Sequence, residues 1–197
     1  KTFRRHIVEL GKTGLTFIYD ELEAEQPVTW SYLLHTVINP MNVDKSNSRW
    51  IHVQATNQNG VSDAYLFSTS VLKTSQFFTP AVNWLIADEK GNFKTYPNHW
   101  HFTATSDKQK VYRFATIINT HAKQKPSEQP RILKDGCIEI GDWHIKVNLS
   151  SKGTPSFFIR NTKKGENVSI DYKGETTLIK ENGHEKVLVD KVPELEI

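Results

Sequence analysis

Apolar and polar residues alternate with a period of two along most of this chain, in runs only a few residues long. Between positions 51 and 56, for example, Ile51, Val53 and Ala55 fall on one side, and the polar His52 and Gln54 fall on the other. This alternation places successive side chains on opposite faces of a β-strand. We find no run of ten or more residues with helical spacing of apolar side chains. The pattern predicts a chain built from β-sheet.

Turn-forming pairs separate these runs at short intervals, and their residues tolerate the positive φ angles that tight hairpins need. About a dozen short strands at this spacing predict an all-β fold, an antiparallel β-sandwich of layered sheets, with a closed barrel as the alternative. Apolar residues on both faces of 28–37 predict a central strand covered on both sides. The turn pairs include Asn59-Gly60, Gly141-Asp142, Lys164-Gly165 and Asn182-Gly183.

A polar stretch between positions 121 and 131 has the composition of a linker, with Pro126, Pro130 and two lysines. We therefore expect the main sandwich in residues 1–120, a linker-like loop at 121–131, and further strands in 132–197 that pack on or beside the sandwich. The chain opens at Lys1 with neither an initiator methionine nor a signal-peptide run. This predicts a piece of a longer protein.

Charge and cysteine content narrow the classes of function. The net charge of +3, from 25 basic and 22 acidic residues, is too small for the concentrated basic face of a nucleic-acid-binding protein. It is compatible with an anionic carbohydrate partner. No apolar run approaches the ~20 residues of a membrane-spanning helix. Cys137 is the sole cysteine, and its apolar neighbours predict a small buried side chain rather than a reactive thiol.

Motifs for nucleophilic catalysis, phosphate binding and zinc-dependent hydrolysis are missing from the sequence. The run 20–25 contains four acidic residues and is predicted to be a solvated connection between two strands. His6 is expected on an exposed edge strand, beside Arg4 and Arg5. His52, His144 and His184 are expected as isolated residues on strand faces, so no catalytic residue is assigned.

The segment His99-Trp100-His101 is the sharpest candidate for a site. Two histidines at i and i+2 share one face of a strand and are able to approach one metal ion, with Asp88 or His121 as the third ligand. The alternative is a solvated strand face on either side of a buried tryptophan, and no metal site is assigned. The substrate-contact candidates are His35, His99, Trp100 and His101.

Five tryptophans are candidates for stacking against sugar rings, although core packing is the ordinary role of a large aromatic side chain. An exposed aromatic surface indicates a binding site only when nothing else covers it. The five are Trp30, Trp50, Trp84, Trp100 and Trp143.

Six segments together resemble the β-sandwich region of heparinase II/III-like polysaccharide lyases. The similarity covers about residues 1–120, while the remainder is only compatible with it. In that family a strand similar to FIYDELEA is followed by one similar to WSYLLHT. The segments are FRRHIV (3–8), FIYDELEA (17–24), TWSYLLHT (29–36), 77–84, HWHFTAT (99–105) and RFATII (113–118).

This resemblance implies a parent protein with an upstream helical toroid that contacts the sandwich and an activity of β-elimination on uronic-acid polysaccharides. It also implies a periplasmic or secreted location. The family's catalytic residues and its zinc site lie mainly before the segment that matches here, so the resemblance assigns no cofactor and no catalytic residue to this chain. We expect a scaffold that lines the substrate cleft and is inactive by itself. The alternative is a carbohydrate-binding or structural sandwich module without an enzymatic parent.

Overall fold

The computed structural model describes residues 2–12, 14–36, 39–78, 86–87, 89–91, 93–94 and 99–189. Within these ranges every regular element is a β-strand, all strand pairs are antiparallel, and the sheets pack in layers. The predicted all-β, sandwich-like fold is therefore confirmed. None of the described residues forms a helix long and apolar enough to cross a membrane. The chain divides into two compact units, Lys1–Pro126 and Ser127–Ile197, and the boundary falls within the polar stretch 121–131.

The first unit contains a six-stranded sheet in the order β1-β2-β11-β6-β5-β4, a three-stranded sheet in the order β3-β10-β7, and a short β8-β9 pair. Its strands are β1 (Thr2–Glu9), β2 (Leu15–Val28), β3 (Ser31–Thr36), β4 (Asn42–Asp44), β5 (Ile51–Thr56), β6 (Gly60–Phe67), β7 (Lys73–Phe78), β8 (Ile86–Ala87), β9 (Phe93–Lys94), β10 (Trp100–Thr105) and β11 (Gln109–Ala122).

A buried apolar cluster contains residues of both larger sheets of this unit. Tyr32 of β3 and Phe114 of β11, for instance, have ring centroids 5.6 Å apart. Burying these aromatic and aliphatic side chains is the main source of stability for such a layer pair. The cluster consists of Leu22, Tyr32, Met41, Val53, Ala64, Leu66, Leu72, Phe102, Ala104, Tyr112 and Phe114.

The acidic run 20–25 is not a solvated connection, so that prediction was wrong. It lies in the middle of β2, between β1 and β11, and Asp20 and Glu21 are only 2% and 6% exposed. The register explains this, because Arg5 of β1 faces Asp20 and binds both its carboxylate oxygens, at 2.6 and 2.9 Å. A buried carboxylate is tolerated when a fixed cation neutralises it, and the cation comes from another strand.

The prediction of a central strand at 28–37, covered on both sides, was also wrong. β3 is an edge strand of the three-stranded sheet, and only one of its faces packs on the apolar cluster. Tyr32 is 4% exposed, whereas its neighbour Leu33 is 56% exposed. The apolar character of both faces therefore does not reflect burial of both faces.

The second unit is a seven-stranded antiparallel meander in sequence order, from β12 to β18. Its buried side chains alternate along the strands, as in Ile138 and Ile140 or Phe157 and Ile159. Cys137 is buried, as the apolar surroundings predicted. The strands are β12 (Arg131–Ile132), β13 (Ile138–Ile140), β14 (Trp143–Val147), β15 (Ser156–Asn161), β16 (Val168–Lys173), β17 (Thr176–Glu181) and β18 (His184–Val189).

Candidate functional site

Three of the four substrate-contact candidates meet on one face of the three-stranded sheet. In β10 the buried residues Phe102 and Ala104 point to the apolar cluster, so the alternate residues of this strand point away from it. We call the opposite surface the histidine face. It consists of Ser31, Leu33 and His35 of β3, His99, His101, Thr103 and Thr105 along β10, and Lys73, Ser75 and Phe77 of β7.

His101 lies at the centre of this face, because both neighbouring strands place an aromatic ring directly opposite it. His35 faces it across β3, with ring centroids 4.5 Å apart in an edge-to-face arrangement. Phe77 faces it across β7 and is stacked on it, with centroids 5.0 Å apart. The ring of His99 lies 6.4 Å from that of His101. The strand register therefore assembles a continuous row of rings.

The histidine face remains open to solvent at its apolar positions. Leu33 is 56% exposed and Phe77 is 53% exposed. Single exposed apolar residues are ordinary, but here two of them lie beside a row of imidazoles on one face of a sheet. This combination offers apolar contact and hydrogen-bonding groups side by side.

The electrostatics of the face favour a neutral imidazole at His35. Desolvation lowers the pKa of His35, and the neighbouring imidazoles of His101 and then His99 lower it further. A neutral imidazole carries one N–H donor and one acceptor nitrogen. The lysine of the face, Lys73, forms an exposed ion pair with Asp107 at 3.1 Å.

Trp100 does not lie on the histidine face. It belongs to the opposite side of β10, where it packs against the apolar cluster and its ring centroid lies 5.3 Å from that of Phe78. Alternation along a strand makes this unavoidable, since Trp100 lies between two residues of the histidine face. Trp100 therefore packs on the side of β10 opposite the histidine face.

Within the described part of the chain, no group of three or more metal-ligating side chains has the geometry to hold a metal ion. Of the third ligands considered from the sequence, Asp88 lies outside the described residues, as does Trp84 among the candidate tryptophans. His121 is bonded elsewhere, to Asp63 on β6.

Asp63 is the centre of a second polar cluster, which the sequence did not reveal. Its carboxylate is fully buried and accepts hydrogen bonds from the side chains of Gln54 (2.9 Å), His52 (2.7 Å) and His121 (2.9 Å). The bond to Asp63 is the main reason that the pKa of His121 is raised. His52 is therefore not an isolated strand-face residue. The cluster satisfies a buried charge and joins three strands.

Two more histidines also have carboxylate partners that sequence spacing did not indicate. His6 is bonded to Glu21 at 2.9 Å, and His144 is bonded to Glu139 at 3.1 Å. Each partner lies on an adjacent antiparallel strand, so the pairing depends on register. His184, in contrast, is exposed on β18, as expected.

Sequence reasoning also missed a surface cavity beside β5, lined in part by Lys45, Arg49 and Trp50. Trp50 was singled out for its ring, but the two cations lie in a loop whose fold only the structure shows.

Neither a protein-family model nor a curated protein matches this sequence.

Proposed function

We propose that this chain is the C-terminal β-sandwich region of a heparinase II/III-like polysaccharide lyase and that it contacts an anionic polysaccharide without carrying out the β-elimination itself. The observation that supports this most is the histidine face, where His35, His101 and Phe77 form one row of rings. The histidines come from two of the six segments that resemble the family. The proposal includes export from the cytoplasm and contact with a helical toroid encoded upstream.

The histidine face carries the two kinds of group that a sugar-binding surface needs, apolar side chains and hydrogen-bonding side chains. A sugar ring presents apolar C–H groups on its faces and hydroxyl groups at its rim, so a site for it combines exposed apolar side chains with a few polar groups. Phe77 and Leu33 supply the first, and the imidazoles and Thr103 supply the second. None of the residues that make up this face is acidic, and the neighbouring Asp107 carboxylate is paired with Lys73 at 3.1 Å.

The same face is a poor catalyst for β-elimination. The reaction needs a base for the C5 proton, an acid for the leaving oxygen and a group that neutralises the uronate carboxylate. The described residues of the histidine face include no tyrosine and no arginine, and Lys73 is engaged by Asp107. We therefore assign contact to this chain and catalysis to residues of the longer parent.

A non-catalytic carbohydrate-binding module is the second candidate, because the same exposed ring row would serve it equally well. The two functions differ in what the longer gene product does. If the lyase proposal is correct, the longer product releases unsaturated uronate from a polysaccharide, detected by ultraviolet absorbance, and the 197-residue chain releases none. A longer product without a helical region or lyase activity would leave the binding module as the better account.

Contact through the histidine face is tested by titrating the chain with alginate oligosaccharides while following the histidine ring signals by NMR. We expect the signals of His35 and His101 to shift and that of His184 to stay unchanged. Phe77→Ala should reduce the affinity by about tenfold, the equivalent of ~1.4 kcal/mol. The matched control is Phe158→Ala, since Phe158 is an exposed phenylalanine on β15. Equal loss in both variants, or shifts at His184 alone, would refute contact through this face.

A further inference from the structure

A surface cavity lies beside β5. It has a volume of about 310 Å³ and lies within the first unit, between the loop that follows β4 and the loop that follows β6. Ligand pockets in proteins begin at about this size. It does not include any residue of the histidine face, which lies on a different sheet. The lining comprises Lys45, Asn47, Ser48, Arg49, Trp50, Ile51, Leu66, Ser68, Thr69, Ser70, Val71 and Leu72.

The charged residues that line the cavity are all positive. Lys45 and Arg49 are both cationic, no carboxylate lines the cavity, and neither cation forms an ion pair with a described residue. The nearest acidic residue in sequence, Asp44, is held in a turn in which it accepts a hydrogen bond from the Ser46 N–H at 2.8 Å. The two cations are therefore available to an anion. Guanidinium groups bind carboxylates and sulfates through paired hydrogen bonds.

Trp50, the aromatic residue that lines the cavity, packs against two aromatic residues of β6. The ring of Trp50 lies 5.7 Å from that of Phe67 and 6.5 Å, edge to face, from that of Tyr65, both on β6. Both partners are buried, with exposures of 3% and 2%. A ring held in this way loses little freedom when a ligand contacts it, which favours binding.

The two loops are also held in shape by their own hydrogen bonds. The Asn47 side chain accepts a hydrogen bond from the Arg49 N–H at 2.9 Å, which fixes the turn before Trp50. On the other wall, the Ser70 hydroxyl lies 2.7 Å from the hydroxyl of Tyr112, a residue of the buried apolar cluster. Each of the two loops is therefore held by a hydrogen bond at a residue that lines the cavity.

We propose that this cavity binds one negatively charged sugar unit of a polysaccharide, with Lys45 and Arg49 contacting the anionic group and Trp50 contacting the sugar ring. The choice of a saccharide over other anions rests on the proposed function. The anionic group is a uronate carboxylate or a sulfate ester, which share the chemistry that guanidinium and ammonium groups recognise. The cavity is a subsite separate from the histidine face, so a long chain is expected to use both.

Calorimetric titration of the 197-residue chain tests this subsite with three probes of equal length. Alginate tetrasaccharide carries carboxylates only, heparin tetrasaccharide carries sulfates as well, and maltotetraose is neutral. We expect both anionic probes to bind and maltotetraose not to bind, and the tighter of the two anionic probes identifies the preferred group. Equal binding of maltotetraose, or binding of no probe, overturns the inference.

Variants locate the binding. Arg49→Gln and Lys45→Gln should each lower the affinity for the bound anionic probe by about tenfold, or ~1.4 kcal/mol. Arg160→Gln is the matched control, since Arg160 is an exposed arginine of β15, and it should leave the affinity unchanged. These changes are at the surface, and their far-ultraviolet circular dichroism should match the wild type.

The outcome also separates this inference from the proposed function. If Arg49→Gln and Lys45→Gln bind as the wild type does while Phe77→Ala binds more weakly, the cavity is not a subsite and the histidine face alone makes the contact. If the cavity variants lose affinity and Phe77→Ala does not, the cavity is the site and the histidine-face proposal fails. If Arg160→Gln loses as much affinity as Arg49→Gln, the effect is general charge attraction and the inference is overturned.

Discussion

His35 and His101 face each other directly across the β3–β10 pairing, and their imidazole rings meet edge to face with centroids 4.5 Å apart. They are 66 residues apart in the sequence. Two like-charged imidazolium ions at this separation repel each other, so the pair disfavours double protonation. The neighbouring His101 ring therefore contributes, after desolvation, to the lowered pKa of His35.

Replacing His101 by phenylalanine should raise the pKa of His35 part of the way towards its ordinary value of 6.5. The rise is partial because desolvation is the larger cause of the lowered pKa and the new ring keeps the surface covered. The measurement is an NMR titration of the His35 ring proton. His184→Phe is the control and should leave the His35 titration as it was; an unchanged pKa in His101→Phe as well would mean that the two rings are not coupled.

The Asp63 cluster should be essential for stability. Asp63→Asn removes the charge that His52, Gln54 and His121 share, and we expect the free energy of unfolding to fall by about 3 kcal/mol, as measured by urea denaturation. The control is Asp107→Asn, which removes a carboxylate from an exposed ion pair and should have little effect. Similar losses in the two variants would contradict the role of the buried charge.

The same substitution should change the pH dependence of stability. The pKa of His121 is raised in the folded state, so the folded chain binds this proton more tightly than the unfolded chain does. Its stabilisation is fully present below about pH 6.5 and is lost as the pH rises through the folded-state pKa. Asp63→Asn should therefore lose more stability, relative to wild type, at about pH 6 than at about pH 8. An equal loss at both pH values would show that His121 is not linked to Asp63.

Gly14 should be irreplaceable in the β1–β2 hairpin. Its φ of +74° is unfavourable for other residues, and an added Cβ would collide with the backbone carbonyl oxygen of Thr120 on β11. Gly14→Ala should lower the free energy of unfolding by at least ~2 kcal/mol. Gly91→Ala is the control, because Gly91 has a φ of +78° but no atom within 4 Å of an added Cβ. It should cost only the backbone term, about 1 kcal/mol.

Cys137 should be inert in the folded protein. Its thiol is buried and lies 3.4 Å from the carbonyl oxygen of Ile145, and burial is the main cause of its raised pKa. Since the thiolate is the reactive form, we expect Ellman's reagent to react at neutral pH at least ~10-fold more slowly with the folded chain than in denaturant. One thiol per chain should react after unfolding. A fast reaction of the folded protein would show that the thiol is accessible.

Local alternation was sufficient to predict strands, because a strand exposes its side chains on two faces with a period of two. The alternating residues 51–56, for example, form the strand Ile51–Thr56. The same rule placed His99 and His101 on one face. It failed for 20–25, where four acidic residues suggested a loop, because the burial of Asp20 depends on Arg5 in another strand.

The sequence by itself determined that the chain is all β and that Cys137 is buried, since both follow from side chains near one another along the chain. Only the tertiary structure decided that His35 contacts His101 and that Asp63 binds two histidines. It also decided that Lys45 and Arg49 line one cavity with Trp50. Strand order and register set these contacts. They arise from packing among distant segments, and no local pattern of residues encodes them.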